Sequence, residues 1–88
     1  MKKNIKMYYT DTCPYCRMAE DLLNKLGVDQ IHKVNIDENP EFREEMIGLT
    51  GKTSVPQIFI GLNHLGGCDD LYDAHESGVL DSLLSELD

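Results

Sequence analysis

The sequence predicts an α/β fold in which a mixed, four-stranded sheet is covered by helices, in the order β-α-β-α-β-β-α. Three observations support this fold class. Short stretches in which every second residue is apolar alternate with longer stretches in which apolar residues recur every three or four positions. Prolines stand where two of the helices begin, and glycines follow the helical stretches. The 88 residues are enough for one domain, which we expect to span residues 1–88.

The first strand is predicted at residues 4–9. Its alternation places three residues on one face: Ile5, Met7 and Tyr9. The helix that follows has Cys13 as its N-cap and Pro14 as its first residue, because proline is favoured at that position. Apolar residues then recur at helical spacing: Met18, Leu22, Leu23 and Leu26. Gly27 is expected to end this helix.

The second strand and helix are predicted from the same kinds of sequence signal. The strand is predicted at residues 31–36, and the helix begins with Asn39 as its cap and Pro40 as its first residue. The apolar side of the helix carries three residues: Phe42, Met46 and Leu49. Gly51 is expected to end it.

The last part of the chain forms a hairpin and a broken helix. A third strand spans 55–60, with Pro56 near its start, where proline is tolerated, and a short fourth strand spans 63–65. A helix opens at Cys68 with two acidic residues in its first turn. Ser77 and Gly78 break it, and the helical period then resumes to the C-terminus with Val79, Leu80, Leu83, Leu84 and Leu87.

Charge and hydropathy narrow the classes of function. The net charge is −8, from 16 acidic and 8 basic residues, and such a surface repels phosphate backbones. We therefore expect no nucleic-acid partner. No apolar run approaches the length of a membrane span, and the N-terminal stretch does not resemble a secretory signal. The expected compartment is the cytoplasm, with no membrane association.

Two cysteines, Cys13 and Cys16, carry the strongest chemical signal. An N-cap side chain accepts hydrogen bonds from the N–H groups of the first helical turn, so the Cys13 sulfur should lie over exposed donors at the positive end of a helix. That position favours a thiolate. Cys16 lies deeper in the helix and should be less exposed, with a higher pKa. Arg17 is the cation within sequence reach of the pair.

Two other uses of the cysteines are considered. Cys13, Cys16, His64 and Cys68 have a spacing that zinc sites permit, but a proline directly after the first ligand and a helix N-terminus both disfavour a dication. The chain has 3 cysteines, and an odd number disfavours a purely structural disulfide. The reducing conditions of the expected compartment, the cytoplasm, disfavour it as well. A redox role is favoured, with no bound metal.

Three motifs in order resemble those of glutaredoxins of the bacterial dithiol class: Cys13-Pro14-Tyr15-Cys16, Ser54-Val55-Pro56 and Gly66-Gly67-Cys68-Asp69-Asp70. The resemblance runs along the whole chain. It implies the thioredoxin-like fold and a glutathione-dependent thiol–disulfide oxidoreductase. Glutathione would be a co-substrate, with no tightly bound cofactor. The partners would be proteins that carry disulfides or are glutathionylated, ribonucleotide reductase being one that the family suggests, and the chain would be a monomer.

The resemblance also assigns roles to residues. Cys13 would be the nucleophile and Cys16 the resolving thiol. Glutathione would be bound by seven residues: Tyr15, Ser54, Val55, Pro56, Gly67, Cys68 and Asp69. Val55 and Pro56 would be joined by a cis peptide, and Val55 would offer its backbone to an extended ligand, as an added strand does. The N–H groups of Cys68 and Asp69 would suit the γ-glutamyl carboxylate, while Asp70 is expected to be a helix cap.

The chain departs from the family at one position. Relatives usually have lysine three residues before the nucleophile, and this chain has Thr10. Arg43 and Lys52 are the cations expected to compensate. The departure keeps an alternative open, a glutaredoxin-like protein that is reduced by a flavoprotein thioredoxin reductase. A second alternative, a [2Fe–2S] carrier bridging two subunits, is disfavoured by Pro14 after the first cysteine.

Overall fold

The computed structural model describes residues 4–86. It contains four strands, β1 (Ile5–Tyr9), β2 (His32–Asn35), β3 (Gln57–Ile60) and β4 (Asn63–Gly66). Its four helices are α1 (Pro14–Lys25), α2 (Pro40–Thr50), α3 (Cys68–Ser77) and α4 (Val79–Glu86). The predicted order is confirmed, and the last helix is broken at Gly78, as expected. Leu87, which we predicted to continue α4, lies outside the described residues.

The four strands form one mixed sheet in the order β2-β1-β3-β4. β1 is parallel to β2 and antiparallel to β3, and β3 is antiparallel to β4. A parallel pair needs a crossover connection, which α1 provides between β1 and β2. Four residues connect the end of β1 to α1, and Gly67 alone connects the end of β4 to α3.

Both faces of the sheet are buried. On one face, strand residues such as Ile5 and Ile58 pack with residues of α1, α3 and α4 in the larger apolar cluster. On the other face, Tyr8 packs with Val34, Ile36 and Met46 in a smaller apolar cluster. The alternation of β1 predicted only the first face, yet Tyr8 is fully buried as well. Its partners come from β2, α2 and the segment between them, which a period of two within β1 does not reveal.

Three residues predicted on apolar helix faces are exposed, and one of them is Val79, which is 51% exposed at the first position of α4. Leu49 is 57% exposed, because it lies one turn beyond Met46 on α2, past the smaller cluster. Met18 is 44% exposed, near the beginning of α1. β3 begins at Gln57 rather than at residue 55, because Pro56 has no N–H to donate to the sheet. Within residues 4–86, no helix has both the length and the apolar character needed to cross a membrane.

Candidate active site

The Cys13 sulfur lies at the N-terminus of α1. Cys13 is the N-cap, with extended backbone angles (φ −93°, ψ 109°), and Pro14 follows at the first helical position. The backbone N–H of Cys16 donates a hydrogen bond to Cys13 Sγ at 3.2 Å. The predicted cap is therefore confirmed. An acceptor at this position gains both that hydrogen bond and a favourable interaction with the helix dipole.

The side chain of Cys16 is much less exposed to solvent than that of Cys13. Cys16 is 3% exposed and points into the protein, whereas Cys13 is partly exposed. Burial raises the pKa of the Cys16 thiol to about 12, the hydrogen bond to the Cys13 sulfur adds to the rise, and a backbone hydrogen bond from Thr10 opposes it. The predicted difference in exposure and the higher pKa of Cys16 are confirmed. Both cysteines are free thiols in this structure, as is Cys68.

The segment before β3 faces the Cys13 sulfur. The Val55–Pro56 peptide bond is cis, as the family resemblance implied. The Cys13 thiol lies 3.7 Å from the Val55 carbonyl oxygen and donates to it. Ser54, Val55 and Pro56 thus lie beside the helix N-terminus that carries the reactive sulfur.

A buried glutamine holds this segment in place. Gln57 is 3% exposed, and its side-chain amide donates to the Ser54 carbonyl at 3.0 Å. Its Oε1 lies 2.8 Å from Nε2 of His64 on β4. Because the glutamine nitrogen is committed to Ser54, the oxygen must accept, and His64 must carry its proton on Nε2. Sequence reasoning missed this pair, although a polar Gln57 beside Ile58 in an otherwise apolar strand was a signal.

The beginning of α3 forms a third side of the site. The Asp70 carboxylate accepts a hydrogen bond from the Gly67 N–H at 3.0 Å, so Asp70 is the cap that the sequence predicted. A Cβ on Gly67 would lie 3.4 Å from the Pro56 carbonyl oxygen, closer than most Cβ contacts. Glycine therefore lets α3 begin near the cis-proline segment. The N–H groups in the first turn of a helix have no partner within the helix, so those of Cys68 and Asp69 remain available to an anion.

These parts enclose a groove of about 520 Å³. All seven residues that the sequence predicted for glutathione line it, from Tyr15 to Asp69. Six others line it as well: Lys52, Gln57, His64, Leu65, Gly66 and Asp70. The Cys13 sulfur borders the groove through its contact with Val55. The structure thus brings the predicted binding residues and the reactive sulfur together, from three separate stretches of chain.

The charges around the groove are unevenly distributed. Of the described lysines and arginines, Lys52 alone lines the groove. Arg43, the other cation expected to compensate for Thr10, instead forms an exposed ion pair with Asp37 at 3.4 Å. Cys68 is buried beside the groove, and burial, followed by the charge of Asp69, raises the pKa of its thiol. Cys68 is therefore a neutral thiol at physiological pH.

The zinc alternative finds no geometric support. Nε2 of His64 is occupied by Gln57. Across residues 4–86, no three His, Cys, Asp or Glu side chains are grouped so as to hold a metal ion.

Comparison with known proteins gives a consistent result. Residues 5–65 match the family model for glutaredoxin. The chain is 51% identical to glutaredoxin 3 of Escherichia coli over 81 residues, which cover 92% of this chain and 96% of that protein. The solution structure of glutaredoxin from Brucella melitensis has a TM-score of 0.80 at 43% identity and covers 92% of this chain and 87% of its own. The crystal structure of a buckwheat glutaredoxin–glutathione complex has a TM-score of 0.87 at 27% identity, covering 97% and 79%.

Proposed function

The chain belongs to the glutaredoxin family, and we propose that it is a glutathione-dependent thiol–disulfide oxidoreductase acting on protein disulfides and protein–glutathione mixed disulfides. One observation carries the proposal. The Cys13 sulfur is partly exposed at a helix N-terminus beside an open groove, with the buried Cys16 thiol one helical turn behind it. Such an arrangement supplies a nucleophile and a resolving thiol at the same place.

The reaction on a mixed disulfide needs only Cys13. Its thiolate attacks the glutathione sulfur, a Cys13–glutathione disulfide forms, and the protein thiolate leaves and takes up a proton. A second glutathione thiolate then attacks this disulfide. Glutathione disulfide is released, and Cys13 leaves as the thiolate that the helix N-terminus favours.

The reaction on a protein disulfide also needs Cys16. The Cys13 thiolate first attacks the protein disulfide and forms a mixed disulfide with one of its sulfurs, while the other sulfur leaves as a thiolate and takes up a proton. That bond removes the negative charge of the Cys13 sulfur, which adds to the effect of burial in raising the pKa of Cys16, so Cys16 becomes easier to deprotonate at the moment when it must react. Its thiolate attacks Cys13, the protein dithiol leaves, and a Cys13–Cys16 disulfide remains. Two glutathione molecules reduce it and yield one glutathione disulfide.

The groove suits an extended tripeptide with a carboxylate at each end. The Val55 backbone would pair with the glutathione backbone, with Tyr15 alongside. The free N–H groups at the start of α3 would bind the γ-glutamyl carboxylate, and Asp69 its ammonium group. Lys52 would attract the glycine carboxylate. The buckwheat relative, solved in complex with glutathione, supports this assignment. The chain would work as a monomer in the reducing environment of the cytoplasm, without a tightly bound cofactor.

The test is turnover of a glutathionylated peptide with glutathione as the electron donor. Wild type and Cys16→Ser should both turn over, because Cys13 alone handles a mixed disulfide, and Cys13→Ser should be inactive. Cys16→Ser should lose the reduction of a protein disulfide. The two serine variants are matched, since each replaces one sulfur of the pair.

The alternatives give different results. Suppose that glutathione supports no turnover, while a flavoprotein thioredoxin reductase drives reduction of a protein disulfide by wild type. The donor assignment would then be wrong, and Thr10 would be its explanation. Iron and sulfide in protein purified without oxygen, together with visible absorbance, would instead favour a cluster carrier.

A further inference from the structure

A second hollow adjoins the groove on the side of α1 and α3. It measures about 510 Å³ and is lined by Tyr15, Met18, Cys68, Asp69, Tyr72 and Asp73. Three of these residues, Tyr15, Cys68 and Asp69, also line the groove, so the two form one continuous surface beside the reactive sulfur. The proposed mechanism leaves Met18, Tyr72 and Asp73 without a role.

The apolar part of the hollow is open to solvent. Met18 is 44% exposed and Tyr15 is 59% exposed, although both belong to a helix with a buried face. They are three residues apart, so they lie on one side of α1. Tyr72 is partly buried against the main core and forms part of the floor. Aromatic rings and a flexible thioether together suit an apolar side chain or the alkyl stem of a cation.

The acidic part of the hollow has no internal counter-charge. Asp69 and Asp73 are four residues apart on α3 and exposed, and like charges at that spacing destabilise a helix by a few tenths of a kcal/mol. Asp69 gains from the helix dipole, but Asp73 lies beyond the first turn. No lysine or arginine among residues 4–86 lines the hollow, and neither carboxylate forms an ion pair with a described residue.

We propose that this hollow binds the segment of a protein substrate next to its reactive cysteine, and that it selects segments carrying a lysine or arginine beside an apolar residue. The inference rests on the proposed function and names the class of substrate that the same site prefers. Charge complementarity supports a basic segment. Continuity with the groove supports the position, since a substrate whose disulfide reaches Cys13 must extend across the neighbouring surface. A second copy of this chain would bring another charge of −8 to an acidic face.

The test uses three glutathionylated peptides that differ only in the residue after the modified cysteine, which is Lys, Gln or Glu. An exposed ion pair is worth about 0.2–1 kcal/mol, or about 1.4- to 5-fold. Because Asp69 would be occupied by the ammonium group of glutathione, Asp73 is the carboxylate left for the peptide, and wild-type kcat/KM should fall from Lys to Gln to Glu by about 1.4- to 5-fold at each step. Asp73→Asn should remove most of this range, and Asp73→Lys should reverse the order.

Two controls separate this surface from the general charge of the protein. Asp81→Asn removes the same charge from α4, outside the hollow, and should leave the ranking unchanged. Asp81→Asn should also leave the turnover of the Gln peptide unchanged. Met18→Ser should lower kcat/KM for a peptide with a neighbouring leucine more than for one with a neighbouring serine.

Each outcome of these assays supports or overturns the proposal that the hollow binds the substrate segment. If wild type turns over all three peptides equally well, or if Asp81→Asn changes the ranking as much as Asp73→Asn, the docking proposal is wrong and the proposed function stands. If no peptide is turned over with glutathione, both fail. If Asp73→Asn changes the sedimentation coefficient of the protein instead of the ranking, the hollow is an interface between copies of this chain, which also overturns the proposal.

Discussion

The raised pKa of Cys16 predicts that the reduced protein loses stability as the solution becomes alkaline. The pKa rises from 9.0 for an ordinary thiol to about 12 in the folded chain. Between these values the unfolded chain has released the Cys16 proton and the folded chain still holds it. Because the unfolded state then binds fewer protons, the free energy of unfolding falls as pH rises. Below pH 9 the contribution of Cys16 to stability is fully present.

The size of the effect follows from the two pKa values. A difference of one pKa unit corresponds to about 1.4 kcal/mol. Relative to pH 7, Cys16 should therefore lower the free energy of unfolding by roughly 1 kcal/mol at pH 10 and by roughly 3 kcal/mol at pH 11. The assay is guanidinium unfolding in the presence of a reductant at pH 7, 8, 9, 10 and 11. Tyr8 and Cys68 also have raised pKa values, so the comparison must isolate Cys16.

Cys16→Ala provides that comparison, since Tyr8 and Cys68 remain. The difference in unfolding free energy between wild type and Cys16→Ala should shrink steadily above pH 9. Wild type with the Cys13–Cys16 disulfide closed should lack this contribution too, because neither sulfur then titrates. If wild type and Cys16→Ala lose stability in parallel up to pH 11, the thiol is not protected from ionisation by its burial, and the reasoning fails.

Three further predictions concern the same site. Iodoacetamide at pH 7 should alkylate the reduced protein once, at Cys13, because the other two thiols are buried with raised pKa values; peptide mapping by mass spectrometry would reveal a second adduct. Lys52→Gln should raise the KM for glutathione by up to about 5-fold with little change in kcat, which steady-state kinetics would measure, since it removes one exposed ion pair. Gly66 has φ +122°, and an added Cβ would lie 2.2 Å from the Asp70 carboxylate. Gly66→Ala should therefore lose about 2 kcal/mol or more through strain and disturbance of the α3 cap. Gly48→Ala meets no atom within 4 Å inside α2 and should instead gain about 0.5–1 kcal/mol in the same unfolding assay.

Local sequence signals were sufficient for the elements and for the reactive end of α1. Prolines at Pro14 and Pro40 mark the first residues of two helices, and the structure has both helices beginning there. Once Pro14 is at the first position, Cys13 must be the cap and Cys16 must be one turn inside. The exposure and the pKa of Cys16 follow from that geometry. This part of the site depends on contacts between residues only three positions apart.

The rest of the groove depends on pairings that no local pattern contains. Ser54, Gln57 and His64 meet because β3 and β4 pair in a particular register, with an irregularity near Ile58. The family resemblance predicted the binding residues on either side of these hydrogen bonds, but it did not predict the hydrogen bonds themselves. The burial of Tyr8 has the same origin, since α2 covers the second face of the sheet only after the chain has crossed it.

The electrostatics of the groove explain how an anionic co-substrate can be used by a chain with a charge of −8. Two helix N-termini meet there, with Cys13 as the cap of α1 and Gly67 as the cap of α3, and each is equivalent to about half a positive charge. Exposed charges more than about 8 Å away are largely screened at physiological salt, so distant acids count for little in the groove. The backbone donor that acts on the Cys13 sulfur, the Cys16 N–H, is in direct contact with it and is screened far less. Salt should therefore weaken the preference for basic peptides in the acidic hollow, while leaving the attack by Cys13 on an uncharged disulfide nearly unchanged.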